Sequence, residues 1–322
     1  MDSLSQMCLG AGVATLVMGH KVPVKHAVLW GAVAGTLPDL DVLFDAGDAI
    51  GNMISHRAQS HALFYLALVS PLLAWIVTAI HRQSALFLRW WLAMGLVLIT
   101  HPLLDVMTIY GTRLGLPFTD TPFGVGSIFI IDPLYTLPLL LSLIVALLKP
   151  SWSVRAAASG LGLSTAYLLW SFSAQQWLDT RVRQALPAPD AGAVLVTPTP
   201  FNTMLWRILI MTDNGYYEGF CNILQRRADV EYQFYPEDNR LKQQYADHPD
   251  VARIAAFSHG FYSLVAEDDK LILTDLRMGL RQNYAFSFRV TPDASSPATA
   301  QPRNYDMGTT VRWIQRQLVA PD

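Results

Sequence analysis

Through roughly the first 180 residues the apolar positions form long runs broken by short polar stretches, whereas beyond residue 200 they form short alternating runs. "HALFYLALVSPLLAWIVTAI" (61–80) carries no charged residue beyond its leading histidine, and "IFIIDPLYTLPLLLSLIVALL" (128–148) carries only Asp132. Runs of about 20 apolar residues are long enough to cross a bilayer core about 30 Å thick. Weaker runs at 4–19, 26–43, 90–105 and 154–177 share the pattern. The expectation is an all-α multi-spanning membrane domain of about six helices over 1–180.

If all six span, Lys21 and Lys25, Arg82 and Arg89, and Lys149 and Arg155 fall on one side, in connections that hold no acidic residue. Basic connections stay in the cytoplasm. Both termini then face outward, into the periplasm of a bacterial inner membrane. Arg57, Arg113, Arg181 and Arg183 lie on that outer side and weaken the bias.

The Pro-rich stretch "LPAPDAGAVLVTPTP" (186–200) reads as the core of a linker over 181–200. After it, "WRILIMT" and "YYEGFCNIL" flank an Asp-Asn-Gly turn signal, a hairpin signature. "FYSLVAEDDKLILTDL" repeats the arrangement, "VEYQFYP" alternates, and "DNRLKQQYADHPDVARIAAF" reads as helical. Residues 201–322 are therefore expected to form a small α+β extramembrane domain with an antiparallel sheet.

Composition supports the membrane reading. Of 322 residues, 52% are hydrophobic and 15% charged, against a usual charged share of about 25%. The formal net charge of -2 and the lack of a basic stripe exclude a nucleic-acid partner. Cys8 and Cys221 form neither a disulfide framework nor a metal knuckle. The start lacks the basic region of a cleavable signal peptide and reads as a retained membrane segment.

Against this apolar background four polar places stand out. "PDLD" offers Asp39 and Asp41, "SHRAQSH" offers His56 and His61, "THPLLD" offers His101 and Asp105, and "FIIDPLY" offers Asp132. His101 and Asp105 are four apart, hence on one face of a helix, where both can reach one ion. Neutral imidazole is a common metal ligand. Arg57, between the two histidines, has a guanidinium suited to an anionic substrate. Taken singly, each place reads equally as a helix end or a solvated turn, and Asp132 as a residue near the membrane interface. Taken together they fall near one membrane face, at the ends of the second to fifth segments. An ionisable group in a membrane segment points to function by default. Mixed histidine and carboxylate ligands suit zinc, manganese or iron, and the number of ions stays open. No nucleophile elbow, Walker loop or dinucleotide fingerprint is present.

"WGAVAGTLPDLDVL", "HRAQSH", "HPLLDVMTIYGTRLGLPF" and "PTPFNTMLWRILIMTDNGYYEG" together resemble the membrane-bound metal-dependent hydrolases of the LexA-regulated inner-membrane type. That family is distantly similar to zinc-dependent phospholipase C and P1 nuclease. The resemblance implies that Asp39, Asp41, His56, His61, His101 and Asp105 bind metal and that Thr108, Gly111 and Thr112 form the loop that follows. Ser5-Gln6 stands where many members have Thr-His, and Ala58-Gln59 where a glycine is common after the arginine. The expected function is metal-dependent hydrolysis of a membrane lipid or lipid-linked phosphoester, with Asp39 and Arg57 as the catalytic pair. A non-enzymatic metal-binding membrane protein, a transporter or an envelope-stress regulator, is the alternative.

Overall fold

The computed structural model describes residues 1–187, 190–224, 230–281, 283–302 and 307–319. The chain divides into two compact units. Met1–Leu43, His56–Val125 and Ile130–Ser171 form the first, and Phe44–Ser55, Gly126–Phe129 and Phe172–Asp322 form the second.

The first unit is helical. Helix α1 (Ser3–Met18) is capped by the Asp2 carboxylate, which accepts from the Ser5 amide. It is apolar nearly all round and buried from Ser5 to Thr15 almost without interruption, as expected of a helix at the centre of a bundle. Helix α2 (Val24–Thr36) packs closely along it. A Cβ on Gly10 would run into the Gly31 carbonyl, one on Gly31 into the Gly10 carbonyl, and one on Gly35 into the Gln6 carbonyl. Small residues at such a crossing let two backbones approach. The close approach brings the Gly35 carbonyl and the Gln6 side chain to the functional residues described below.

The run 26–43 does not continue as one helix. Helix α2 stops at Thr36 and a 3-10 turn follows over Pro38–Leu43, because Pro38 has no N–H for the next helical bond. After α3 (Ala49–Ser55), which belongs to the second unit, come α4 (Leu63–His81) and α5 (Phe87–Val106). Among the described residues two helices are long and apolar enough to cross a membrane, Leu63–His81 of 19 residues and Ser84–Val106 of 23, the latter counting the short turn before α5. α1 and α6 (Pro133–Leu148) are apolar but shorter. The run 128–148 enters its helix only at Pro133, with Asp132 as the N-cap, since proline suits the first helical position and an aspartate the cap. Helix α7 (Ser153–Gln184) begins in the first unit and ends in the second. The six apolar runs therefore fold largely as helices, of which, among the described residues, two are both long and apolar enough for a membrane crossing.

The second unit contains two four-stranded antiparallel sheets and a small ribbon. β1 (Val194–Pro198), β2 (Leu205–Thr212), β3 (Gly215–Asn222) and β4 (Tyr232–Pro236) form a meander. The expected hairpin closes with Thr212 opposite Gly215. Trp206, Ile208 and Ile210 face Ala174, Leu178 and Val182 of α7, while Leu209, Met211 and Tyr216 pack on Phe261 and Leu276. β5 (Tyr262–Glu267) and β6 (Lys270–Asp275) form the second hairpin, β7 (Gly279–Leu280) and β8 (Asn283–Tyr284) form the ribbon, and β9 (Ser287–Val290) and β10 (Thr299–Ala300) complete the sheet of β5 and β6. The stretch 181–200 contains the end of α7 and strand β1, and Ala188 and Pro189 within it lie outside the described residues. Residues 44–55 join this unit through long-range bonds, Ala49 N to Ala298 O at 3.2 Å and Arg253 Nη1 to Asp48 Oδ2 at 3.0 Å.

The crossing of α1 and α2 carries a prediction. Gly31→Ala overpacks the contact and lowers unfolding stability in detergent by about 1–3 kcal/mol. Gly162→Ala in α7, whose Cβ meets nothing within 4 Å, holds or raises it, because alanine favours helix over glycine by up to about 1 kcal/mol. Equal unfolding midpoints for the two variants would show that the close crossing does not matter.

Candidate metal centre

Four side chains of the first unit converge on one point. Asp39 comes from the 3-10 turn after α2, His61 from a second 3-10 turn (Gln59–His61) just before α4, and His101 and Asp105 from successive turns of α5. The Nε2 atoms of His61 and His101 are 3.1 Å apart. Asp105 Oδ2 lies 3.2 Å from His61 Nε2 and 3.3 Å from His101 Nε2. Asp39 Oδ1 lies 3.4 Å and 3.5 Å from the same two atoms. All four donor atoms fit within 4.8 Å of one another.

Nitrogen and carboxylate ligands about 2.0–2.2 Å from a tetrahedral zinc lie about 3.3–3.6 Å from each other. The spacings that involve an imidazole nitrogen, 3.1–3.5 Å, come close to that figure. Asp39 Oδ1 and Asp105 Oδ2 are buried and have no hydrogen-bond partner. Buried polar atoms are ordinarily satisfied, and a single proton between two of these atoms leaves the other contacts uncompensated. A cation at their centre satisfies all four. The donor set and its geometry therefore fit a divalent metal ion.

The outer bonds fix the inner ones. His101 Nδ1 donates to the Gly35 carbonyl at 2.7 Å, which leaves Nε2 with its lone pair toward the centre. His61 Nδ1 donates to Ser60 Oγ at 2.9 Å, and Ser60 Oγ donates to Asp41 Oδ2 at 2.6 Å. Partners of this kind orient ligating histidines and set their tautomer. Asp41 is the hub of the arrangement, because it also accepts from the Arg57 amide at 2.9 Å and pairs with His56 Nδ1 at 2.7 Å. Burial pushes the Asp41 carboxyl up, but His56 and Ser60 outweigh it and hold the group below the ordinary carboxylate range.

The seven expected ligands thus separate. Asp39, His61, His101 and Asp105 meet. Asp41 and His56 stand behind them and reach the centre only through Ser60 and His61. Asp132 is not in the group. As a helix cap it accepts from the Leu134 and Tyr135 amides and from the Tyr167 hydroxyl at 2.8 Å. Arg57 differs most from expectation. At 2% exposure it cannot meet an incoming anion, and its guanidinium instead bonds Asp105 Oδ1 at 3.3 Å and Thr108 Oγ1 at 3.1 Å and lies over the Tyr110 ring. Its backbone is held at a positive φ of 63°. Thr108 passes the contact on to the Asp105 carbonyl at 2.7 Å. Gly111 has a φ of 105°, which only glycine adopts without strain, and Thr112 pairs with Phe123 at the neck of the loop.

Ser60, the Gly35 carbonyl and Gln6 were not among the expected site residues. Gln6 Nε2 bonds the His101 carbonyl at 3.1 Å and Asp105 Oδ1 at 3.2 Å. It therefore touches Asp105 from the position where many relatives of the resembled family have histidine. For Ser60 the only sequence signal was its place beside His61. His248 caps the helix Pro249–Phe257, its Nδ1 accepting from the Asp250 amide.

The first unit is thus an apolar helical unit with two candidate spans and a candidate metal centre of carboxylates and imidazoles. Residues 1–178 match the sequence profile of the YdjM inner membrane protein family, and the chain belongs to that family. It is also 35% identical over 120 residues to the inner membrane protein YbcI of Escherichia coli strain K12, a match covering 36% of this chain and 65% of the relative. The chain thus spans a little under two thirds of that relative's length. No solved structure matches the chain. The resemblance read from the motifs is supported as an inner membrane family, and neither name speaks of metal or hydrolysis.

Ser60 gives this geometry a direct check. Ser60→Ala lowers zinc affinity about 10–100-fold, the usual cost of losing an outer-shell partner, and Ser60→Thr restores it. Competition against a fluorescent zinc chelator reads the effect. Equal affinity for Ser60→Ala and the parent chain would show that the Asp41–Ser60–His61 chain does not support the centre.

Proposed function

We propose that the chain is a multi-pass, metal-dependent hydrolase of the inner membrane that cleaves a phosphoester in a membrane lipid or lipid-linked substrate. The observation that supports it is the convergence of Asp39, His61, His101 and Asp105, with two buried carboxylate oxygens left unsatisfied. A divalent ion held there, with zinc the best match to two nitrogens and two oxygens, would supply Lewis acidity and, on taking a water as a fifth ligand, would lower the pKa of that water. His61, His101 and Asp105 are almost wholly buried, whereas the Asp39 side chain is 19% exposed. Asp39 therefore marks the open side and is the carboxylate placed to accept a proton from an attacking water. Water adds at phosphorus, the bond to the leaving oxygen breaks, and that oxygen takes up a proton. Arg57 does not bind substrate in this scheme but balances the charge of Asp105.

All six apolar helices span the bilayer in this proposal, with α1 and α2 short and central, and the site and second unit face the periplasm. The cluster sits at the end of α5 and just before α4, rather than midway along a span where transporters keep their ionisable groups. That placement favours surface chemistry over conduction.

The experiment uses purified chain in vesicles, with headgroup release measured across bilayer phosphomonoesters and phosphodiesters before and after chelation. Activity is lost on chelation and returns with zinc. His101→Ala and Asp105→Ala each abolish it, the double variant is hardly worse than either, as for residues acting as a unit, and His248→Ala is neutral. Release that survives chelation, or that survives His101→Ala, would contradict the proposal.

A further inference from the structure

The turn that carries Asp39 and Asp41 is two-sided. Both carboxylates turn inward, to the histidines and to Ser60 and the Arg57 amide. Leu40, Val42 and Leu43 of the same turn point outward, with Val42 71% and Leu43 77% exposed. A second apolar projection stands in the loop after α5, where Phe118 is 80% exposed beside Leu116. This loop is tied to the ligand-bearing segment by Arg113 N to Arg57 O at 3.0 Å and Leu63 N to Leu114 O at 3.1 Å. The Phe118 ring meets Phe64, in the first turn of α4, at 5.5 Å between centroids.

Apolar side chains this exposed are expected to be covered in the working protein, and the fold indicates by what. Phe64 begins the exposed apolar face that runs on along α4 through Leu68, Leu72 and Trp75, on a helix long enough to cross a membrane. The Phe118 projection adjoins the end of that face at Phe64, and the Pro38–Leu43 turn packs against the Gln59–His61 turn just before α4. A turn facing water would carry polar residues on its outer side, whereas this one carries a leucine, a valine and a leucine between and after its aspartates.

We infer that Leu40–Leu43 and Leu116–Phe118 are immersed in the acyl-chain layer of the adjoining leaflet, so that the substrate of the cluster reaches it sideways from the bilayer as a lipid, not from water. The access route rests on the hydrolase reading above, and the immersion does not. Cys8 and Cys221 are both buried, so a thiol introduced by Leu43→Cys or Phe118→Cys takes a nitroxide label selectively. The full chain is placed in phosphatidylcholine–phosphatidylglycerol vesicles and the label is relaxed with oxygen, which partitions into lipid, and with a water-soluble nickel chelate. Leu72→Cys on the outer face of α4 and Asp268→Cys in the β5–β6 turn give the lipid and water references. Labels at 43 and 118 behave like the one at 72, with relaxation by oxygen and loss of relaxation by nickel. Nickel relaxation as at 268 would overturn the immersion, and so would shielding from both agents, which means that protein covers the projections. With immersion found, the route is tested by substrate form. Val42→Asn combined with Leu43→Asn slows release from a bilayer phospholipid and leaves a short-chain, water-soluble phosphodiester unaffected. Equal slowing of both would overturn the sideways route, whereas no release from either substrate by the parent chain is a failure of the hydrolase reading and leaves the label result standing.

Discussion

The first unit depends on one electrostatic constraint. Two imidazole nitrogens lie 3.1 Å apart and each lies 3.2–3.5 Å from two carboxylate oxygens in a largely buried place, and like dipoles and charges so placed repel. Removing a carboxylate from water is costly unless it is paired. The surrounding structure partly offsets that cost. Arg57 and Gln6 bind the far oxygen of Asp105, Gly35 and Ser60 hold the far nitrogens of the histidines, and Asp41 gathers the loop that carries His61. What these bonds leave is a centre that a divalent cation completes. The close crossing of α1 and α2 serves the same arrangement, because it delivers Gln6 and the Gly35 carbonyl to it.

Much of this was legible in the sequence where the physics is local. His101 and Asp105 share a helix face because they are four apart, and they do meet. The Asp-Asn-Gly turn signal made the β2–β3 hairpin plain. What was not legible depends on contacts distant in the chain. Asp41 and Asp39 look alike in "PDLD", yet one faces His61 and His101 and the other Ser60 and His56, a distinction made by the 3-10 turn and not by residue type. Asp132 looked like a buried charge in a span because Pro133 was counted within the run, whereas a proline at the first helical position makes the preceding aspartate a cap. Arg57 looked available for substrate because nothing nearby in sequence neutralises it. Its partner, Asp105, is 48 positions away in a run that reads as lipid-facing. Residues 44–55 belong to the second unit through Asp48 and Arg253, a pairing no periodicity reveals.

Membership of an inner membrane family and a metal-compatible centre at the end of two candidate spans fit one economical arrangement. Helices that must be apolar to stay in the bilayer can carry ligands only where they end, and here they do, with His61 before α4 and Asp105 in the last turn of α5. The 3-10 turn supplies the remaining carboxylate without placing it within a span.

The central claim is that Asp39, His61, His101 and Asp105 hold one ion between them. X-ray absorption at the zinc edge of the metal-loaded chain tests it most directly. The account predicts a shell of light ligands only, two imidazole nitrogens and two carboxylate oxygens with room for a water as the fifth, at about 2.0–2.2 Å, with the imidazole signature halved in His101→Ala. An absence of zinc uptake, a shell containing sulfur, or a spectrum unchanged in His101→Ala would contradict it.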